Sequence, residues 1–215
     1  MYKVVEIFMS IEGEGKRMGL PTTFIRLYGC NLNCSYCDTR YACENKEYVE
    51  MDLYEILGTV RRFNVNNVTI TGGEPLIQED IVELVYMLAK EGFDINIETN
   101  GSVKIPSELR FFENVFFTVD YKSPSSGMEE EMILQDLNKR DVLKFVVSDE
   151  KDLLKMAEKL NKTYYTKKEN IFVSPVFGKI SPTTIAEFIM KYNLDYVKVQ
   201  VQLHKILWDP NKRGV

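Results

Sequence analysis

TFIRLYGCNLNCSYCDTRYAC, Thr23 to Cys43, joins two unlike halves. Thr23–Leu27 is a β-branched and aromatic run that reads as a strand. From Gly29 onward the chain turns polar, and all four cysteines of the 215-residue sequence fall within fifteen residues, spaced C-x3-C-x2-C-x5-C. A strand that empties into a thiol loop puts candidate chemistry at the strand's carboxyl end.

Outward from this stretch the pattern repeats. Val68–Thr71, Ile95–Glu98, Val115–Val119, Val142–Val147, Ile171–Ser174 and Tyr196–Val201 are short β-rich runs. VFFTV and VLKFVV are nearly continuous apolar stretches, as in strands buried on both faces of a parallel sheet. Helix-period segments lie between them: Asp52–Phe63, Ile81–Lys90, Asp149–Leu160 and Pro182–Tyr192, the last opened by an N-cap at Ser181 and Pro182 in the first turn. Lys122–Asn138 interrupts the rhythm and reads as a loop with room for a short helix. The alternation predicts an α/β domain with a mainly parallel sheet. The length suits one domain, or at most two small ones, and we take 1–215 as one. Polar and glycine clusters follow the strands: TGGEP, ETNG, DYKSPSSG and SDE. In parallel α/β sheets sites form at the carboxyl ends of strands, so one rim gathers the candidates.

Composition narrows the classes. A net charge of -5 argues against a protein whose main task is gripping nucleic acid. There is no signal peptide and no apolar run long enough for a membrane span, so the expected compartment is the cytoplasm. Thiols there stay reduced, and clustered cysteines read as metal-binding or catalytic. Three readings of the loop compete. Buried apolar cysteines would not crowd into fifteen positions. A closed zinc site usually pairs two C-x2-C knuckles, and only one is present. Cys30, Cys34 and Cys37 suit an iron–sulfur cluster with one iron left open, with Cys43 available as a fourth ligand.

C-x3-C-x2-C followed about 35 residues later by Gly72-Gly73-Glu74-Pro75 resembles the radical S-adenosylmethionine enzymes. The resemblance implies a 4Fe-4S cluster on Cys30, Cys34 and Cys37, its open iron chelating S-adenosylmethionine. Tyr36, the aromatic before the third cysteine, belongs to the same pattern. Gly72, Gly73 and Glu74 would hold the methionine amino group. The cluster would reduce the sulfonium by one electron and release a 5′-deoxyadenosyl radical, the cofactor carrying the hard chemistry.

Within that superfamily the chain resembles the 7-carboxy-7-deazaguanine synthases over nearly its whole length, through IFMSIEGEGKRMGLPTTFIRLYGCNLNC, the CDT after the third cysteine and the ending QVQLHKILWDPNKRGV. The resemblance implies an incomplete (β/α) TIM-type barrel of about six repeats, open on one side. It implies conversion of 6-carboxy-5,6,7,8-tetrahydropterin to 7-carboxy-7-deazaguanine by radical ring contraction with loss of ammonia, S-adenosylmethionine being re-formed. Ile11, Glu12, Gly13 and Glu14 would meet the aminopyrimidine edge. Arg26, inside an apolar strand, needs a partner; the substrate carboxylate is favoured over an internal salt bridge. Thr39 would bind a magnesium ion that also touches the substrate. Asp38, Thr99, Asn100, Lys122, Ser123 and Pro124 are placed near S-adenosylmethionine, although Lys-Ser-Pro-Ser departs from the family's commoner Ser-Pro-Lys. Thr71, Gln202, His204 and Val215 are placed near the pterin, the tail closing over it; Lys144 and Ser148 are weaker candidates. A flavodoxin or ferredoxin reductant and a homodimer are further implications. The rivals are a glycyl-radical activating enzyme and a non-catalytic iron–sulfur protein.

Overall fold

A computed structural model describes residues 1–133, 136–162 and 170–215. Among the described residues nine strands form one sheet: β1 Tyr2–Ile11, β2 Pro21–Leu27, β3 Val49–Met51, β4 Asn67–Gly72, β5 Asp94–Thr99, β6 Val115–Lys122, β7 Val142–Val147, β8 Ile171–Pro175 and β9 Val197–Val199. Their order is β3-β1-β2-β4-β5-β6-β7-β8-β9. From β2 to β9 every pair is parallel, whereas β1 runs antiparallel to both β2 and β3. Among the described residues β3 and β9 are the edges, each with a single partner, so the barrel stays open. The seven strands expected from sequence are all present; β1 and β3 are additional.

Helices α1 Tyr41–Glu44, α2 Leu53–Arg62, α3 Ile81–Lys90, α4 Glu150–Lys162, α5 Pro182–Lys191 and α6 His204–Leu207 complete the chain. α2 starts at a capping box in which Asp52 accepts from Glu55 N and Glu55 accepts from Asp52 N. Ser181 Oγ accepts from Thr184 N at 3.1 Å, the expected cap of α5. The repeats are not all complete. The β5–β6 connection carries only a 3-10 turn at Ser107–Phe111, and the β6–β7 connection has 3-10 turns at Pro124–Ser126 and Glu129–Glu131.

The strands alternate more cleanly than their sequences suggest. Val68, Ile70, Ile95, Ile97, Val115, Phe117 and Val119 join the core with α2 and α3. Leu143, Phe145, Val147, Ile171 and Val173 pack with α4 and α5. The opposite face carries buried Thr69, Asn96, Thr118, Lys144 and Ser174. Side chains just past β1 reach the far strands across that face: Glu14 bonds Lys144 of β7 at 2.9 Å and Ser174 of β8 at 3.1 Å. The sheet is therefore curled around a polar interior. Arg17 closes its lower end, donating to Asp94 O, Val68 O and Thr69 Oγ1 at 2.7–2.9 Å.

Candidate active site

A cavity of about 950 Å³ opens at the carboxyl ends of the strands. Its wall includes Cys30, Cys34, Cys37 and Cys43, the Ile11–Glu14 segment, Arg26, Tyr36, Asp38, Thr39, Thr71, Gly72, Gly73, Glu98, Thr99, Asn100, Asp120, Lys122, Lys144, Gln202, His204 and Val215. Glu74, Ser123, Pro124 and Ser148, all marked from sequence, are not on the wall.

The two glycines have a packing reason. A Cβ on Gly72 would lie 2.1 Å from Leu27 O, and one on Gly73 only 1.8 Å from Gly29 O. Gly73 N donates to Leu27 O at 3.0 Å and Glu74 N to Gly29 O at 2.8 Å. The end of β4 is thus seated against the start of the cysteine loop. Glu74, expected from the resemblance to help hold the methionine amino group, has protein partners. It is fully buried, and its carboxylate accepts from Leu76 N at 3.0 Å and Asn100 N at 2.6 Å. It ties β4 to the end of β5 instead of reaching the cavity. Burial pushes its pKa up to about 7 against those hydrogen bonds.

Ser123 is buried and Pro124 exposed because their loop props the cysteine loop from behind. Ser35 N donates to Ser126 O at 3.0 Å, and Ser35 Oγ to Ser125 O at 2.6 Å. Asp152 of α4 receives Ser125 N at 3.0 Å and Ser148 N at 2.8 Å, which accounts for Ser148.

Below the thiols lies a charge network. Lys144 Nζ is 2.9 Å from Glu14 and 3.0 Å from Asp120, and Lys122 Nζ is 3.3 Å from Asp120. Burial opposes these charges, but the pairing prevails: Asp120 is held below the usual carboxylate range, chiefly by Lys144, and both lysines stay above theirs. Glu98, accepting from Thr71 Oγ1 at 2.8 Å, is raised mainly by burial. Glu12, accepting from Thr69 Oγ1 at 2.6 Å, is pushed up to about 7 by burial and then by Glu98.

Arg26 has an internal partner, the alternative weighed from sequence, at one of its nitrogens. Its Nε meets Glu6 Oε1 at 2.7 Å, directly across the β1–β2 register. Among the described residues its Nη atoms take no protein acceptor, and the side chain borders the cavity. His204 packs on Gly13, where a Cβ would come within 2.2 Å of Nδ1, and Leu203 N donates to Gly13 O at 3.1 Å. The imidazole's pKa is lowered by burial. Lys205 pairs with Asp38 at 2.8 Å and Arg213 covers the Tyr41 ring at 3.8 Å, so the last residues lie across the cysteine loop.

The thiols suit an iron–sulfur cluster. Cys30 accepts from Leu32 N at 3.5 Å and Asn100 Nδ2 at 3.7 Å. Its pKa falls to about 6, chiefly through the Cys43 thiol's hydrogen bond and against burial. Burial raises Cys34. Among the described residues no three Cys, His, Asp or Glu side chains converge on a single ion position. What suits the thiols to a cluster is the donor set: Cys30, Cys34 and Cys37 all face the cavity, and thiolates are the ligands that iron–sulfur clusters take.

Sequence reasoning missed Glu98 and Asp120 as members of the site. Their only signal was position, a charged residue within an apolar strand end; the parallel register sets Asp120 beside Lys144 and Glu98 beside Thr118.

Residues 24–142 match the radical SAM superfamily. The chain is 50% identical to the 7-carboxy-7-deazaguanine synthase of Clostridium acetobutylicum, covering 100% of this chain and 99% of that one. It is 41% identical to the synthase of Methanospirillum hungatei over 97% of this chain and 86% of the relative. Among solved structures, the crystal structure of QueE from Escherichia coli superposes with a TM-score of 0.76 at 27% identity, covering 94% of each chain. With a sequence likeness running end to end and a cysteine loop seated on the open barrel's rim, the chain belongs to the 7-carboxy-7-deazaguanine synthase family of the radical SAM superfamily.

Proposed function

We propose that the chain converts 6-carboxy-5,6,7,8-tetrahydropterin to 7-carboxy-7-deazaguanine, by ring contraction with loss of ammonia. The observation that carries this reading is the meeting of the three-cysteine loop with Glu12, Glu14, Arg26 and His204 around one cavity. The family works with a 4Fe-4S cluster and S-adenosylmethionine. Cys30, Cys34 and Cys37 are the cluster ligands in this reading. Gly72, Gly73, Tyr36, Asp38, Thr99 and Lys122 line the part of the cavity that receives S-adenosylmethionine. When bound, these groups supply one-electron chemistry that removes a hydrogen atom from carbon, so a strong base is not required.

The protein's own share is binding and proton handling. Glu14, held by Lys144 and Ser174, and Glu12 present acceptors to the N–H groups of the aminopyrimidine, with Gly13, Ile11, Gln202 and Val215 beside them. Arg26 offers its Nη atoms to the substrate carboxylate while Glu6 fixes Nε. Thr39 offers a hydroxyl to a magnesium ion that keeps waters and substrate oxygens as its other ligands. Glu12, with its pKa pushed up to about 7, can hold a proton at neutral pH and so meet the aminopyrimidine edge either as donor or as acceptor. We extend the reading to a flavodoxin or ferredoxin reductant, a homodimer, one catalytic domain over 1–215 and a cytoplasmic setting. Among the described residues no helix is long and apolar enough to cross a membrane.

The test is anaerobic reconstitution with iron and sulfide, followed by electron paramagnetic resonance with and without S-adenosylmethionine. Wild type and Cys43→Ala should each hold four irons and show a perturbed signal; Cys30→Ala, Cys34→Ala and Cys37→Ala should not. Loss of the cluster in Cys43→Ala, with no perturbation in wild type, would establish a four-cysteine electron carrier instead.

A further inference from the structure

The Asn100 amide is spoken for by protein on both sides. Its Oδ1 accepts from Ser102 N at 2.9 Å and Ser102 Oγ at 2.7 Å. Two donors on one atom fix which end is oxygen. The NH₂ group must then face the other way, where it meets Asn31 Oδ1 at 3.0 Å and Cys30 Sγ at 3.7 Å. Asn31 in turn donates to Ser102 Oγ at 2.8 Å, closing a ring of three side chains. The backbone below is equally fixed, because Glu74 accepts from Asn100 N at 2.6 Å. Asn100 is 7% exposed and Glu74 fully buried, so the amide itself and its backbone anchor are shielded, where a polar contact counts for more, while Asn31 closes the ring from the exposed side.

From this geometry we infer that Asn100 is a positioning residue that sets the reduction potential of the cluster by donating an N–H to the sulfur of Cys30, with Glu74 holding it in place. The inference rests on the reading of Cys30 as a cluster ligand. Reduction adds one electron to the cluster and with it negative charge on the ligand sulfurs. A donor aimed at that sulfur favours the reduced form more than the oxidised one, and hydrogen bonds to sulfur are a recognised control of cluster potential. Glu74 thereby gains a purpose through the backbone of Asn100 that it anchors. The strip after β4 acts on the thiol loop by way of the end of β5.

The test is a redox titration of the reconstituted holoenzyme without S-adenosylmethionine, followed by electron paramagnetic resonance. Asn100→Ala should keep four irons per chain and lower the equilibrium constant for reduction about tenfold, equivalent to about 59 mV for a one-electron couple. Asn100→Asp, which replaces the donor with a negative oxygen, should lower it further. Ser102→Ala, which frees the amide to turn, should shift it the same way by less. Asn100→Ala and Asn100→Asp both within twofold of wild type, with full iron, would overturn the inference while leaving the cluster reading intact. Loss of the cluster in all three variants would overturn it too, making the ring a scaffold for assembly. A wild-type chain that takes up no iron would overturn the cluster reading and this inference together.

Discussion

Gly73→Ala tests the seating of β4 against the cysteine loop. Its Cβ would stand 1.8 Å from Gly29 O, 2.3 Å from Gly29 C and 2.9 Å from Cys30 N. These are backbone atoms, so no side chain can swing aside. Ordinary contact begins at 3.4 Å, so the strand end and the loop must part by 3.4 − 1.8 = 1.6 Å. That opens the 3.0 Å bond from Gly73 N to Leu27 O and the 2.8 Å bond from Glu74 N to Gly29 O. Each lost bond costs about 1 kcal/mol, and buried groups left without partners add roughly 1–3 kcal/mol. The expected loss is about 3–5 kcal/mol, a large share of the roughly 5–15 kcal/mol typical of a domain. Urea unfolding of the purified chain measures it, with iron content after reconstitution as a second readout, also expected to fall. Gly58→Ala is the control: its site on α2 has nothing within 4 Å, and the change should stabilise by up to about 1 kcal/mol. Gly73→Ala within about 1 kcal/mol of wild type and fully loaded with iron would refute the close approach.

Gly13→Ala should push the His204 ring from its seat and raise KM for the pterin about tenfold, iron content unchanged; an unaltered KM would contradict the packing of the tail on the Glu12–Glu14 loop. Stability should fall as pH rises from about 4.5 to 7, because Glu12 and Glu74 are each pushed up to about 7 and the folded state binds more protons than the unfolded chain across that window. Glu12→Gln should reduce that fall, Glu74 keeping its share, and an unchanged pH profile of unfolding would show that Glu12 is ionised throughout. Thr39→Ala should raise the magnesium concentration for half-maximal activity about tenfold, with Thr39→Ser near wild type; equal magnesium dependence in all three would remove Thr39 from the metal's surroundings.

Much of this arrangement was legible because its signals are local. β7 is found at Val142–Val147 as expected, since all six of its residues are buried. The cysteines share one loop, so their spacing survives folding unchanged. β1 escaped notice because Lys3, Glu6 and Ser10 break its apolar pattern and its partners, β2 and β3, are recruited from elsewhere in the chain. No helix-period segment was expected between β5 and β6, and only a five-residue 3-10 turn is found there. The charge network was not legible at all. Glu14 and Lys144 lie 130 residues apart and meet only because the sheet curls. The protein contacts of Glu74 were not legible either, because the motif gives the residue and not the amides of Leu76 and Asn100 that its buried carboxylate receives. Arg26 is the same lesson, its cross-strand neighbour Glu6 being visible only once the register is known.

The most direct measurement is an anaerobic turnover assay. Reconstituted protein is mixed with dithionite, S-adenosylmethionine, magnesium and 6-carboxy-5,6,7,8-tetrahydropterin, and the products are weighed by mass spectrometry. The account predicts 7-carboxy-7-deazaguanine in many-fold excess over enzyme, with little net 5′-deoxyadenosine. 5′-Deoxyadenosine without the deazapurine would contradict it, leaving a radical enzyme whose substrate is something other than this pterin.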